Sequence, residues 1–203
     1  MSVAPAIALL EFDSVAAGIV AGDAMVKRAP LADLVAGTVQ PGHYLVLVAG
    51  DTASVEEAID AGAAASGASL IDRVFLPDVH PDVVRAVRGG RVEGPVESLG
   101  IVETTSVASV LEACDAGVKG ASVDIMDVYV ADGLGGKAYV LFGGAVADVE
   151  AAVEIGGGRV PGGHLVRASV ISQLHPEMGR NLWANGRFGA AVGRDRGDGG
   201  ATR

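Results

Sequence analysis

The sequence predicts an α+β protein built from two tandem copies of one unit, each a four-stranded antiparallel sheet with two helices packed on one face. Three observations carry that prediction. First, the chain repeats itself: Glu11, Ser14-Val15-Ala16, Asp23-Ala24 and Lys27 return as Glu103, Ser106-Val107-Ala108, Asp115-Ala116 and Lys119, always 92 residues later. The offset becomes 94 where YLVLVAGDTASVEEAI from Tyr44 meets AYVLFGGAVADVEAAV from Ala138, so the second copy carries two extra residues between Arg28 and the counterpart of Tyr44. HPDVVR at His80 to Arg85 then answers HPEMGR at His175 to Arg180. Second, each copy alternates short apolar runs with segments of helical period in the order strand, helix, strand, strand, helix, strand. Third, capping and turn residues fall between those segments. The order of matches is preserved throughout, which predicts a first domain over 1–94, a second over 95–190 and a polar, Gly-rich disordered tail over 191–203.

Each element follows from its residues. AIALLEF is a short apolar strand, and Asp13 or Ser14 can cap a helix on which Val15, Ile19, Gly22 and Val26 recur at helical spacing. Pro30 stops it. LVAGTV and HYLVLVAG flank the turn signal QPG and read as an antiparallel hairpin. DTASVEEAIDAGAAA opens with Asp51, Thr52 and Ser54 as candidate caps and reads as a second helix, and SLIDRVFL closes the unit as a strand. The second copy repeats the plan with LGIVET, SVASVLEACDAGVKG, IMDVYVA, KAYVLFGG, VADVEAAVEIGGG and HLVRASVIS, with IGGGRVPGG lengthening the loop before the last strand. RGGRVEGPVES, with Gly89, Gly90, Gly94 and Pro95, reads as the linker. Two helices on one side of such a sheet is the ferredoxin-like layering.

Composition narrows the function. Half the residues are apolar and only 4% aromatic, giving a core of Ala, Val, Leu and Ile. A net charge of -10, with only 15 Lys plus Arg, opposes binding to nucleic acid or anionic membranes. No run of about 18 apolar residues exists to span a bilayer. MSVAPAIALLEF lacks a basic leader and reaches Glu11 early, so the chain reads as cytosolic. The single cysteine, Cys114, sits beside Ala113 at an apolar spacing and reads as a buried structural thiol. No pair of the four histidines has ligand spacing with a third donor nearby, so no metal site is expected. Catalysis is not expected either, for the sequence has no Ser-His-Asp spacing, no glycine-flanked serine elbow and no recurrent acidic pair in an apolar setting. GLGG follows one strand and leads into another, so no helix N-terminus is available to make it a phosphate loop.

The order of elements, ALLEFDSVAAGIVAGDAMVKRA with its echo GIVETTSVASVLEACDAGVKGA, and the strand entering VLVAGDTASVEEAI resemble the bacterial microcompartment shell protein family, in its unpermuted tandem-domain form. The resemblance runs from Ala6 to about Arg180. It implies two BMC domains in a homotrimer that mimics a hexamer, a tile packed edge to edge with other shell proteins, both hexamers and pentamers, around an encapsulated pathway in the cytoplasm. It also implies a central pore for small metabolites on the threefold axis.

The resemblance assigns roles to particular residues. A lysine near a helix C-terminus is by itself a solvated group favoured by the macrodipole. In the D-A-x-x-K-x-A setting, however, the resemblance places Lys27 and Lys119 at the tile edge. It places His80 and His175 there too, although PDVH and SQLH lack the arginine of the P-R-P-H loop of single-domain relatives. The turns between second and third strands face the axis, so Gln40, Pro41 and Gly42 alternate with Gly133, Leu134, Gly135 and Gly136 around a pore lined mainly by backbone groups, suited to small polar metabolites. Gln40 adds a polar group and Leu134 a constriction, while Asp132, His43 and Lys137 flank the loops. Some tandem relatives hold an iron-sulfur cluster through a cysteine in this loop; none stands here, so no cofactor is expected. Trp183 and Phe188 read as a packing clamp over a seam. The competing reading is a duplicated small-molecule sensor, which would remain a discrete oligomer and gain thermal stability with a metabolite.

Overall fold

The computed structural model describes residues 5–184; the expected tail over 191–203 and Phe188 lie outside the described residues. The first half runs β1 (Ala6–Phe12), α1 (Val15–Arg28), β2 (Asp33–Val39), β3 (His43–Gly50), α2 (Thr52–Ser66), β4 (Leu70–Leu76) and α3 (Pro81–Val87). The second runs β5 (Ser98–Thr104), α4 (Val107–Gly120), β6 (Asp124–Val130), β7 (Ala138–Gly144), α5 (Val146–Arg159), β8 (Leu165–Ile171) and α6 (Pro176–Ala184). The sheets are ordered β2-β3-β1-β4 and β6-β7-β5-β8, with every neighbouring pair antiparallel. The predicted two-copy α+β architecture is therefore the one observed.

Strand β1 shows why the sheet has two working faces. It is buried along its whole length. Alternate residues Ala6, Ala8, Leu10 and Phe12 meet Met25, Val55 and Ile59 of α1 and α2, forming the core of the first half. Ile7 and Leu9 point the other way and join Val79, Val83 and Ala86 in a cluster continuous with the core of the second half. The expected caps hold: the Ser14 hydroxyl accepts the Ala17 N–H at 3.3 Å, and Asp51 Oδ1 accepts the Ser54 N–H at 3.0 Å.

The structure departs from the sequence reading in three places. HPDVVR and HPEMGR, expected as edge turns, lead into helices α3 and α6. Proline occupies the first turn of α3 and His80 Nδ1 accepts the Asp82 N–H at 3.3 Å, while Val83 and Ala86 give the short helix an apolar face to bury. The glycines of IGGGR, read as part of a longer loop, lie inside α5. Gly156 is buried there, where a Cβ would stand 2.6 Å from the Ala113 carbonyl oxygen, so its small size lets α4 and α5 approach closely. The linker is also tied down: Arg91 Nε lies 2.9 Å from Asp127 Oδ2, its Nη2 donates to the Leu182 carbonyl at 3.1 Å, and the Val92 N–H donates to the Met126 carbonyl at 2.9 Å.

Candidate assembly seam and axial loops

The two halves meet along a seam built from β4, α3 and the outer face of β1 on one side, and α4 with β6 on the other. Ser106 ends an extended segment and caps α4, leaving the first-turn N–H groups of that helix aimed at the first half. Two carboxylates converge there. Glu11 Oε2 accepts the Val107 N–H at 2.8 Å, and Asp72 Oδ2 accepts the Ser106 and Ser109 hydroxyls at 2.5 and 2.6 Å. Anionic oxygen suits a helix N-terminus. At the other end of α4, Asp115 Oδ1 accepts the His80 N–H at 2.8 Å, and Lys119 Nζ bonds Asp115 Oδ2 at 2.7 Å and also the Asp78 carbonyl. Arg85 Nη2 reaches the Ile125 carbonyl at 3.1 Å. Between these polar contacts, Val79, Val83 and Ala86 are buried with Val107, Leu111, Val118 and Ile125.

Glu11 is fully buried, and its other oxygen lies 3.0 Å from His43 Nδ1. Burial raises its carboxyl above the ordinary value, opposed by the hydrogen bonds from His43 and Val107. Because the folded pKa is raised, the folded state holds this proton more tightly than the unfolded chain, and the stability due to that proton is lost as pH rises through the folded pKa. Glu11→Gln keeps an acceptor for Val107 without the charge. The melting temperature of the variant relative to wild type should therefore be higher at pH 8 than at pH 5, measured by calorimetry at both; equal differences would contradict this assignment.

The register of the repeat shows what the opposite ends of the chain lack. Val15, Ile19 and Val26 of α1 are exposed, whereas their counterparts Val107, Leu111 and Val118 on α4 are buried in the seam. Leu34 of β2 is exposed where Ile125 is buried, and Val35 beside it is 59% exposed. Leu165, Val166 and Ile171 of β8 are exposed, and so is Met178 of α6 where Val83 is buried. The chain thus carries one buried seam, and the residues equivalent to its two sides stand exposed on α1-β2 and β8-α6.

The turns expected to face the axis lie together in the chain. Gln40, Pro41 and Gly42 are exposed between β2 and β3, as are Gly133 and Gly135 between β6 and β7, with Leu134 half-buried. Gly136 is buried: a Cβ there would come within 3.2 Å of Pro41 and 3.3 Å of His43, so the two loops touch. Gly133, Gly135 and Gly136 have φ of 79°, 63° and 90°, a region that glycine enters at least cost. Strand pairing puts Tyr44 opposite Phe12 and Ala138 opposite Thr104, so the preceding His43 and Lys137 are equivalent. His43 pairs with Glu11 and Lys137 Nζ with Glu103 Oε1 at 2.8 Å, giving each loop an acid-base pair at its root. The two extra residues of the second copy lie here, with residues 132–136 standing where the first copy has 40–42.

The other expected positions separate. Lys27 pairs with Asp23 at 2.5 Å and its side chain is 72% exposed, whereas Lys119 is 39% exposed and tied into the seam. His175, like His80, accepts an N–H two residues on, that of Glu177 at 3.3 Å. Cys114 is buried, which pushes its thiol up. Trp183 packs with Leu174 and Leu182 against Leu99, Met126 and Leu141. No group of three or more His, Cys, Asp or Glu suited to a metal stands among the described residues. Glu11, Asp72 and the Ser106 and Ser109 hydroxyls were not singled out from the sequence; the recurrence of Glu11 as Glu103 was visible, but not the helix end that Glu11 meets.

A family model for the BMC domain matches residues 6–79 and, a second time, residues 98–174. The chain belongs to the BMC domain family. It is 39% identical over 178 residues to the bacterial microcompartment shell protein PduT of Citrobacter freundii, covering 87% of this chain and 97% of that one. A crystal structure of a microcompartment protein from Desulfitobacterium hafniense DCB superposes with a TM-score of 0.75 at 39% identity, covering 86% of this chain and 98% of the other. A fused permuted hexameric shell protein from the RMM microcompartment shares the fold, with a TM-score of 0.54 at 20% identity over 75% and 80% of the two chains. With two BMC domains in tandem, this is a structural shell protein of a bacterial microcompartment. No helix among the described residues is long and apolar enough to cross a membrane.

Proposed function

We propose that this BMC protein is a homotrimeric pseudohexameric tile, non-catalytic, that joins other shell proteins edge to edge and passes small polar metabolites through a central pore. The observation that carries the reading is the unequal burial of equivalent surfaces. Each chain satisfies one seam between β4-α3 and α4-β6, and leaves β8-α6 and α1-β2 bare. Joining those bare ends head to tail repeats the same contact between chains, and such a heterologous contact closes into a ring when its rotation divides a full turn. Domains over 1–94 and 95–190 then alternate around the axis. The touching turns at 40–42 and 132–136 gather there, and their exposed glycines present backbone N–H and C=O groups to a passing solute.

Sedimentation should give a trimer, and negative-stain images should show hexagonal discs, sheets or tubes. A monomer at high concentration would refute the tile. A discrete particle stabilised by a metabolite would favour the sensor reading. Lys27 and Lys119 are assigned to the tile edge, where each contact is weak and the lattice multiplies it. Replacing both with Ala should abolish sheets while trimers persist: the exposed Lys27–Asp23 pair contributes only about 0–1 kcal/mol to folding, and circular dichroism checks that losing the Lys119 bond to Asp115 in the seam leaves the double variant folded. Normal sheets from the double variant would remove the edge assignment.

A further inference from the structure

We propose that Arg167 of one copy forms an ion pair across the chain-to-chain seam with Asp13 of the next copy, so that this seam carries the opposite charge at the position where the seam within a chain carries Asp72. The inference rests on the trimer reading above.

The register fixes the correspondence. On β4, Asp72 stands opposite Glu11; on β8, Arg167 stands opposite Glu103. Asp72 spends its carboxylate on the hydroxyls at the start of α4, those of Ser106 and Ser109. Arg167 in the same place meets a different helix end. On α1 the equivalent residues are Ser14 and Ala17, so one hydroxyl is gone, and Asp13 stands where the second copy has Thr105. An arginine replaces an aspartate on one side of the seam; on the other, next to the capping Ser14, an aspartate takes the place of Thr105, which is exposed beside the seam within the chain and bonds His164 of its own half at 2.9 Å.

Both groups are available within the chain. Arg167 is exposed, with Nε donating to Ser169 Oγ at 3.2 Å. Asp13 is exposed and tied by its backbone N–H to the Ser69 carbonyl at 3.0 Å; its carboxylate has no partner among the described residues. Each lies beside an apolar face that has no covering: Val15 and Ile19 next to Asp13, Leu165 and Val166 next to Arg167. A second copy seated on those faces removes water from around both charges, where complementary charge sets partner and register. The neighbouring groups agree: Glu103 pairs through Oε1 with Lys137, as Glu11 pairs with His43, which leaves Oε2 to repeat the bond that Glu11 makes, toward the Val15 N–H of the next copy.

Charge reversal tests the pair. Asp13→Arg, Arg167→Asp and the double variant are compared with wild type by sedimentation over a concentration series, with circular dichroism confirming the fold of each. Each single variant should weaken trimer formation by about tenfold or more through like-charge opposition, and the double variant should return to within about threefold of wild type. Single variants that trimerise like wild type would overturn the pair while leaving the trimer standing, and so would singles whose defect the double fails to repair. A wild-type monomer would overturn the trimer and the pair with it.

Discussion

Ile19→Lys is expected to convert the assembled protein into a folded monomer. Ile19 sits on α1 and is 54% exposed in the single chain, so a lysine there has water around its ammonium group and the fold is unaffected. Its counterpart on α4, Leu111, is wholly buried by the first half of the chain. If the next copy covers Ile19 in the same way, the variant places an unpaired charge in an apolar seam, at a cost of about 3 kcal/mol or more. That corresponds to roughly a hundredfold weaker contact at each seam. Sedimentation should show the variant as a monomer with a wild-type circular dichroism spectrum. Leu111→Lys places the same charge inside the chain and should prevent folding instead. An Ile19→Lys protein that remains trimeric would exclude α1 from the interface.

The second large effect is expected at Gly156. A methyl group there would collide with the Ala113 carbonyl at 2.6 Å, and because that oxygen is main chain, α4 and α5 would have to move apart. Gly156→Ala should destabilise the protein by roughly 3 kcal/mol, as overpacking in a well-filled core does. For a chain of this size the melting temperature should fall by roughly 6–12 °C. Gly158, in the same helix, has nothing within 4 Å of its virtual Cβ. Gly158→Ala should be stabilising by up to about 1 kcal/mol through helix propensity alone. Scanning calorimetry of the two variants separates collision from propensity, and a similar response from both would contradict the close approach.

Much of this was legible in the sequence because it is written locally and written twice. Ser14 and Asp51 precede helical periods and do cap them, and the hairpin around QPG has the strands its residues demand. Helix α3 was hidden because it has only seven residues and depends on burying Val83 and Ala86 against elements distant in sequence. The glycines of α5 mislead for a related reason: their helix propensity is poor, and only the proximity of α4 explains Gly156. The seam was the least visible part. Val15 and Val107 are identical letters in the repeat, yet one is exposed and the other buried, a difference set by which neighbour the chain itself provides. Charge divergence between the copies, Asp72 against Arg167, is readable only once strand register aligns them.

The short turn at 40–42 and the longer one at 132–136 give the two copies unequal loops at equivalent places. A ring of six identical domains must repeat every mutation at all six positions, so its opening can change only in full sixfold steps. Fusion frees this protein from that restriction. On the proposed threefold ring the unequal loops would shape a three-lobed opening, whose lobes and ridges selection could adjust separately.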